Sequence, residues 1–258
     1  MRTVTATRYV APLREGGSLP AIVEADDDGL YVVKFRGAGH GTKALVAELV
    51  AGEIGRALGL LVPEIVFVEL DPALASAEPD PEIGELLARS AGRNVGLDFL
   101  PGALGFDPAT GFRPDPGLAA DVVWFDALVT NVDRSARNTN LLVWHRRLWL
   151  IDHGSALYVH HGWRNPAEHA VRPFPQSRDH VLLPFAGPLP DADARLAPVL
   201  GGDRLRAILA QVPDEWLAGE PGLPDPESHR RAYLDYLCRR LAAPRAFVAE
   251  AERARLAA

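Results

Sequence analysis

"NTNLLVWHRRLWLID", residues 138–152, decides how this chain is read. Leu141, Leu142, Val143 and Trp144 form one apolar run. Leu148, Trp149, Leu150 and Ile151 form another, with His145, Arg146 and Arg147 between them as a polar turn. Two apolar runs about a short turn predict an antiparallel hairpin. A hairpin returns the chain to where it started, so Asn138 before it and Asp152 after it are expected side by side. That pairs an amide oxygen with a carboxylate, a donor set that suits Mg²⁺ completed by waters and phosphate oxygens. Asp133, in the preceding loop, could then face a substrate hydroxyl as general base. A plainer reading stays open here: Asn and Asp are common at strand ends because their side chains satisfy local backbone groups.

Upstream, a second group of residues bears on that choice. "PAIVEADDDGLYVVKF" predicts a hairpin of Ala21, Ile22 and Val23, an Asp-rich turn ending at Gly29, and a strand over residues 30–35. Lys34 falls inside that apolar strand, where an unpartnered charge is costly. The glycine-rich "RGAGHGTK" follows, and then Leu45, Val46, Leu49, Val50, Ile54, Ala57 and Leu58 recur at helical spacing up to Gly59, a helix stop. Glu48 lies early on this helix, so a helix packed against the strand directs its carboxylate toward the Lys34 ammonium. Glu53 is the competing acid, expected to face solvent or join a local ion pair. A strand lysine held by a helix glutamate is how phosphoryl-transfer enzymes grip ATP phosphates.

Composition bounds the alternatives. The chain has 258 residues, 48% hydrophobic and 24% charged, which is ordinary for a globular protein able to bury a large core. No run of about eighteen apolar residues is present, so no membrane span is expected. The opening residues lack the apolar core of a secretory signal. The lone cysteine, Cys238, permits no internal disulfide, and a cytoplasmic location is the expectation; it falls in the apolar pattern of a C-terminal helix, where burial is expected. A formal net charge of −7 without a long basic run argues against nucleic acid as the main partner. The histidines show no familiar zinc spacing.

Organisation follows from the same pattern. "PEIVFVEL" and "NVGLDFLPGA" predict further strands, Asp80-Pro81 opens a short helix, and "PGLAADVVWFDALVTN" is an apolar helix ending at the Asp133 loop. The tail from Ser228 is helical with a break near Pro244. Strands with one long helix come first and helices second. The expected class is therefore α+β, in two lobes over residues 1–100 and 101–258 that share a cleft, a usual place for a small-molecule site.

Strand lysine, helix glutamate, Asp-x4-Asn loop, hairpin and Asp-x-Gly occur in the order of the protein-kinase-like fold. "YVVKF", "ALVAELVAGEIGRALGLLVPE", "NVDRSARNTNLLV" and "LWLIDHGSAL" together resemble the HipA-like kinases, related also to the phosphatidylinositol 3/4-kinase branch. The resemblance spans roughly residues 16–160. It implies that Lys34 holds the α/β-phosphates of ATP, Glu48 orients Lys34, Asp133 is catalytic, and Asn138 and Asp152 bind Mg²⁺. It also implies a phosphate-covering loop around Gly16, Gly17 and Ser18, and adenine contacts from the backbone of Asp98, Phe99 and Leu100. The chain departs from the family at Ser135, where related loops often carry histidine, and at Asp-His-Gly in place of Asp-Phe-Gly. It is also short for a full HipA toxin, so a toxin role does not follow from the resemblance.

The function expected on this basis is ATP- and Mg²⁺-dependent transfer of the γ-phosphoryl group to a hydroxyl acceptor, by resemblance a protein serine or threonine. A small-molecule alcohol, a nucleotide-binding pseudokinase and nucleotidyl transfer onto a protein are the alternatives. His160, His161, Arg164, Arg172, Arg178 and His180, after Asp152, form a candidate basic surface for an acidic acceptor, or else scattered solvated charges.

Overall fold

The computed structural model describes residues 1–13, 19–39, 41–77 and 80–257. Five strands close a barrel in the order β1-β2-β3-β5-β4: β1 Thr3–Pro12, β2 Ala21–Ala25, β3 Leu30–Lys34, β4 Ile65–Leu70 and β5 Gly92–Asp98. Neighbours run antiparallel except where β1 closes on β4 in parallel, Thr3 opposite Phe67. Successive side chains of a strand alternate faces, so Tyr31 and Val33 fill the barrel with Val23, Val66 and Val68, while Lys34 turns to the other face. The sequence pattern had not marked β1.

Helix α1, Thr42–Ala57, lies on that other face. Periodicity predicts one buried stripe, yet every residue of α1 from Leu45 to Gly55 is buried except Glu53. The reason is that α1 is packed on both sides. Gly52 abuts β4, where an added Cβ would meet Ile65 Cδ1 at 2.4 Å, and Gly55 abuts the ring of Phe125. Glu53 stays at the edge, paired with Arg56 at 3.3 Å. After α1 come α2, Pro72–Ala77, and α3, Pro81–Arg89, the latter capped by Asp80, which accepts from the Glu82 N–H.

A short sheet of β6 Leu104–Gly105, β7 Leu141–Trp144 and β8 Arg147–Leu150 follows the barrel. The rest is helical: α4 Pro116–Val129, α5 Pro166–Ala170, α6 Leu189–Leu196, α7 Gly202–Leu209, α8 Asp214–Leu217, α9 Pro226–Leu241 and α10 Ala246–Ala257. Helix α4 is the axle of this part. Asp115 caps its start with Pro116 in the first turn, and it is buried nearly all round from Ala119 to Val129. Its terminal carbonyls would be orphaned inside the protein. Arg240 of α9, itself buried, donates to Ala127 O at 2.6 Å and Leu128 O at 2.7 Å, and Leu157 N–H donates to Val129 O at 2.7 Å. The guanidinium also opposes the negative end of the α4 dipole.

One large core runs from α1, β4 and β5 through α4 to α10, and a smaller one fills the barrel. Phe67 of β4 meets Trp216 of α8 edge-on at 5.6 Å, a pair worth about 0.5–1.5 kcal/mol beyond its burial. Lys43 of α1 pairs with Glu220 at 2.9 Å and donates to His160 O at 2.7 Å. Cys238 is exposed, contrary to expectation. Helix α9 buries His229, Tyr233, Tyr236, Leu237 and Arg240, and one residue past Leu237 points about 100° away from that face. No helix among the described residues is long and apolar enough to cross a membrane.

Candidate active site

Lys34, at the end of β3, is buried and its ammonium is shared between Glu48 of α1 and Asp152, which follows β8. Burial alone would lower the lysine pKa, but the charges of Glu48 and Asp152 outweigh it and hold it above its ordinary value. Glu48 is fully buried. Burial pushes its carboxyl up, and the Lys34 charge together with His153 overcomes this and brings it down to about 2. Both groups are therefore ionised at neutral pH.

Asp133 sits in the loop after α4. That loop begins at Thr130, a β-branched residue in the left-handed region at φ 53, which breaks the helix sharply. Tyr158 N–H donates to its hydroxyl at 3.2 Å. The Asp133 N–H donates to Asn131 Oδ1 at 3.1 Å, its carbonyl accepts from Asn140 Nδ2 at 2.6 Å, and its carboxylate Oδ2 accepts from Asn138 Nδ2 at 3.0 Å. Burial raises the Asp133 pKa, the hydrogen bond from Asn138 offsets part of that, and the nearby Asp152 charge adds to it. A half-buried carboxylate with elevated basicity suits a general base.

The hairpin is shorter than its sequence bounds suggest. Leu141 pairs with Leu150, and Ile151 N–H donates to Asn140 O at 3.1 Å, so Asn140 faces Ile151. Asn138 and Asp152 are not the residues flanking the ladder; they lie beyond it, and Asp152 takes a left-handed conformation at φ 55 that Asp tolerates. The donor atoms still fit a hard cation. Asn138 spends its NH₂ on Asp133, so its amide oxygen is the atom a cation would take, and Lys34 takes Oδ1 of Asp152, so Oδ2 is the carboxylate oxygen a cation would take. Among the described residues no group of three or more His, Cys, Asp and Glu could hold a metal, so a cation here relies on the amide and on few carboxylates.

Under the Asp133 loop lies a buried network that sequence reading missed. Arg134 Nε donates to Asp126 Oδ2 at 2.5 Å, and Asn131 Nδ2 donates to Asp126 Oδ1 at 2.9 Å. His180 Nδ1 accepts the Leu182 N–H, which leaves Nε2–H to donate to Asp126 Oδ2 at 2.9 Å. Arg134 also donates to the Asn140 carbonyl, tying the loop to the hairpin. Burial would raise the Asp126 pKa, but Arg134 and His180 hold it well below the carboxylate range. An acid within the apolar helix "VVWFDALV" was the signal that could have found this network.

Other expected residues fall differently. Gly16, Gly17 and Ser18 lie outside the described residues. The N–H groups of Asp98 and Phe99 are taken by Glu64 O and Leu30 O, both at 2.9 Å, so among the described residues Leu100 N–H is the one of the three linker donors left for a nucleotide. The basic surface does not assemble as a unit. His180 is buried on Asp126, His160 is buried with Nδ1 2.9 Å from the Tyr233 hydroxyl, Arg172 pairs with Glu168, and Arg178 lies 3.5 Å from Asp179.

A strand lysine locked to a helix glutamate, beside an aspartate loop and a hairpin-borne aspartate, defines a protein of the kinase class. The profile described as HipA-like kinase matches residues 7–240. The chain belongs to the HipA-like kinase family. Among solved structures it is similar to the Helicobacter pylori proinflammatory kinase CtkA, at 14% identity and TM-score 0.54, over 99% of this chain and 98% of that one. At that identity the likeness concerns the fold. No curated protein sequence matches.

Proposed function

We propose that this chain is an ATP- and Mg²⁺-dependent kinase transferring the γ-phosphoryl group to a hydroxyl, with protein serine or threonine as acceptor. The observation that carries the reading is the buried Lys34 ammonium shared by Glu48 and Asp152, beside an Asp133 carboxylate aimed by Asn138. Its two lobes would be residues 1–100 and 101–258, and the lone Cys238 supports a cytoplasmic setting.

In this reading Lys34 grips the α/β-phosphates while Glu48 fixes its direction. Asp133 accepts the proton of the acceptor hydroxyl as that oxygen bonds to the γ-phosphorus and the bond to the bridging oxygen breaks, ADP leaving with the electron pair. Asn138 and Asp152 would hold Mg²⁺, which when bound neutralises charge on the phosphate oxygens. Positioning and charge neutralisation are most of what in-line phosphoryl transfer requires of a protein.

The test is transfer of radiolabelled phosphate from ATP to the protein itself, to a lysate or to a metabolite pool. Transfer should need Mg²⁺ or Mn²⁺ and vanish in Asp152→Ala; transfer surviving both EDTA and Asp152→Ala overturns the metal assignment. Labelled small molecules in place of labelled protein would make the acceptor an alcohol metabolite. A nucleotide-binding pseudokinase is favoured by one feature. Ser135 stands where related loops often carry histidine, and it spends its N–H on Asn138 O at 2.9 Å.

A further inference from the structure

The residue between Asp152 and Gly154 touches the Lys34–Glu48 pair directly. His153 N–H donates to Glu48 Oε2 at 2.9 Å, and ring Nδ1 lies 3.3 Å from Glu48 Oε1. A carboxylate only accepts, so Nδ1 carries the proton in this contact. Both side chains are fully buried. Lys34 and the His153 N–H share one oxygen of Glu48, and the imidazole is the contact to the other among the described residues. The ring is itself fixed, standing edge-on to Phe125 of α4 at 5.8 Å. That same Phe125 packs on Gly55 of α1. His153 is thus wedged between the helix that carries Glu48 and the helix that leads to Asp133.

This arrangement has a consequence for Lys34, which divides its ammonium between two carboxylates. A cation on Oδ2 of Asp152 would draw on the charge of that carboxylate and weaken its hold on Lys34, which leaves Glu48 as the main group aiming the lysine. A glutamate anchored through a single oxygen can swing about its terminal torsion, whose profile is broad; one anchored through both cannot. We propose that His153 is a positioning residue for nucleotide phosphates: its Nδ1–H fixes the Glu48 carboxylate, and Glu48 in turn aims Lys34. The inference rests on the kinase reading and adds to it a role for the histidine of Asp-His-Gly.

The test is calorimetric binding of Mg·ATP and, separately, of adenosine, which lacks the phosphates. His153→Phe keeps a ring against Phe125 and loses the donor. It should weaken Mg·ATP about tenfold, the scale of one hydrogen bond to a buried charge, and leave adenosine unchanged. His153→Asn, whose amide nitrogen reaches the place of Nδ1, should bind Mg·ATP within about threefold of wild type, much of that hydrogen bond being kept. If His153 only filled space, both ligands would shift together and the smaller Asn would be the worse substitute. Wild-type affinity in His153→Phe, or His153→Asn binding no tighter than His153→Phe, overturns the proposal. Should His153→Phe not fold, His153→Gln replaces it, since the Gln amide reaches toward Nε2 and away from Glu48; equal binding by the Asn and Gln variants then overturns it. Wild-type protein that binds no Mg·ATP removes the kinase reading and this inference together, whereas normal wild-type binding with unaffected variants removes this inference alone.

Discussion

Arg134 and Asp126 form an ion pair at 2.5 Å with side chains 0% and 1% exposed, directly beneath the loop that presents Asp133. Breaking a buried pair by deleting one partner strands the other charge and costs about 3–5 kcal/mol, whereas replacing both with apolar residues is often neutral. Asp126→Ala should therefore unfold at markedly lower urea than wild type, and Asp126→Leu combined with Arg134→Met should recover only part of the loss, because Asn131 and His180 still lose their acceptor. A midpoint for Asp126→Ala within experimental error of wild type would mean that the network carries no stability.

Acid should act through Glu48. Its pKa is about 2 in the folded protein against an ordinary 4.5, so the unfolded chain takes up the proton first. The stability this group contributes is fully present above about pH 4.5 and is lost as pH falls toward about 2. Melting temperature should drop across that window, and Glu48→Gln should flatten the drop. Parallel curves for the two proteins would remove Glu48 as a source of acid sensitivity.

Arg240 should be a structural residue with a large effect. It satisfies carbonyls of Ala127, Leu128 and Ala170, and its guanidinium lies 4.8 Å from the Phe247 ring centre. Arg240→Met keeps the stem and orphans those carbonyls. The expected cost is about 2–4 kcal/mol, from buried acceptors left unpaired and a cation removed from a helix C-terminus. Urea unfolding measures it; a change below about 0.5 kcal/mol, ordinary for an exposed site, would refute the role.

Nucleotide binding and chemistry should separate by residue. Mg·ATP at about 100 times its Kd adds roughly 2.7 kcal/mol to stability. In a chain of this size that corresponds to a rise in melting temperature of about 5–11 °C. Lys34→Ala and Asp152→Ala should each shrink the rise, because each removes a phosphate or cation contact. Asp133→Ala should keep most of it and still lose phosphoryl transfer. A wild-type protein that shows the full rise but never transfers phosphate would make the site a nucleotide sensor.

Elements set by local pattern were legible in the sequence. Period and punctuation gave the hairpin, though its turn is His145 and Arg146 with Arg147 already in the second strand. They also gave the strand carrying Lys34, which stops one residue short of the expected Phe35, the helix carrying Glu48 and its stop at Gly59, whose φ of 81 needs no Cβ. A charged residue inside an apolar run also announced that Lys34 needs a partner, since an unpaired buried charge is prohibitively costly. What the tertiary structure alone decided are the contacts that join distant segments: His153 to Glu48 across 105 residues, Arg240 to Ala127 across 113, and His180 to Asp126 across 54. The closure of β1 on β4 and the burial of α1 on two sides belong with them. Periodicity reports which face of an element is apolar and carries no information about what covers it. For the same reason Cys238 lies exposed where burial is expected, and His160 and His180 lie buried where a surface position is expected: one position on a helix separates a core face from solvent, and a histidine reads the same whether it meets solvent or a buried carboxylate.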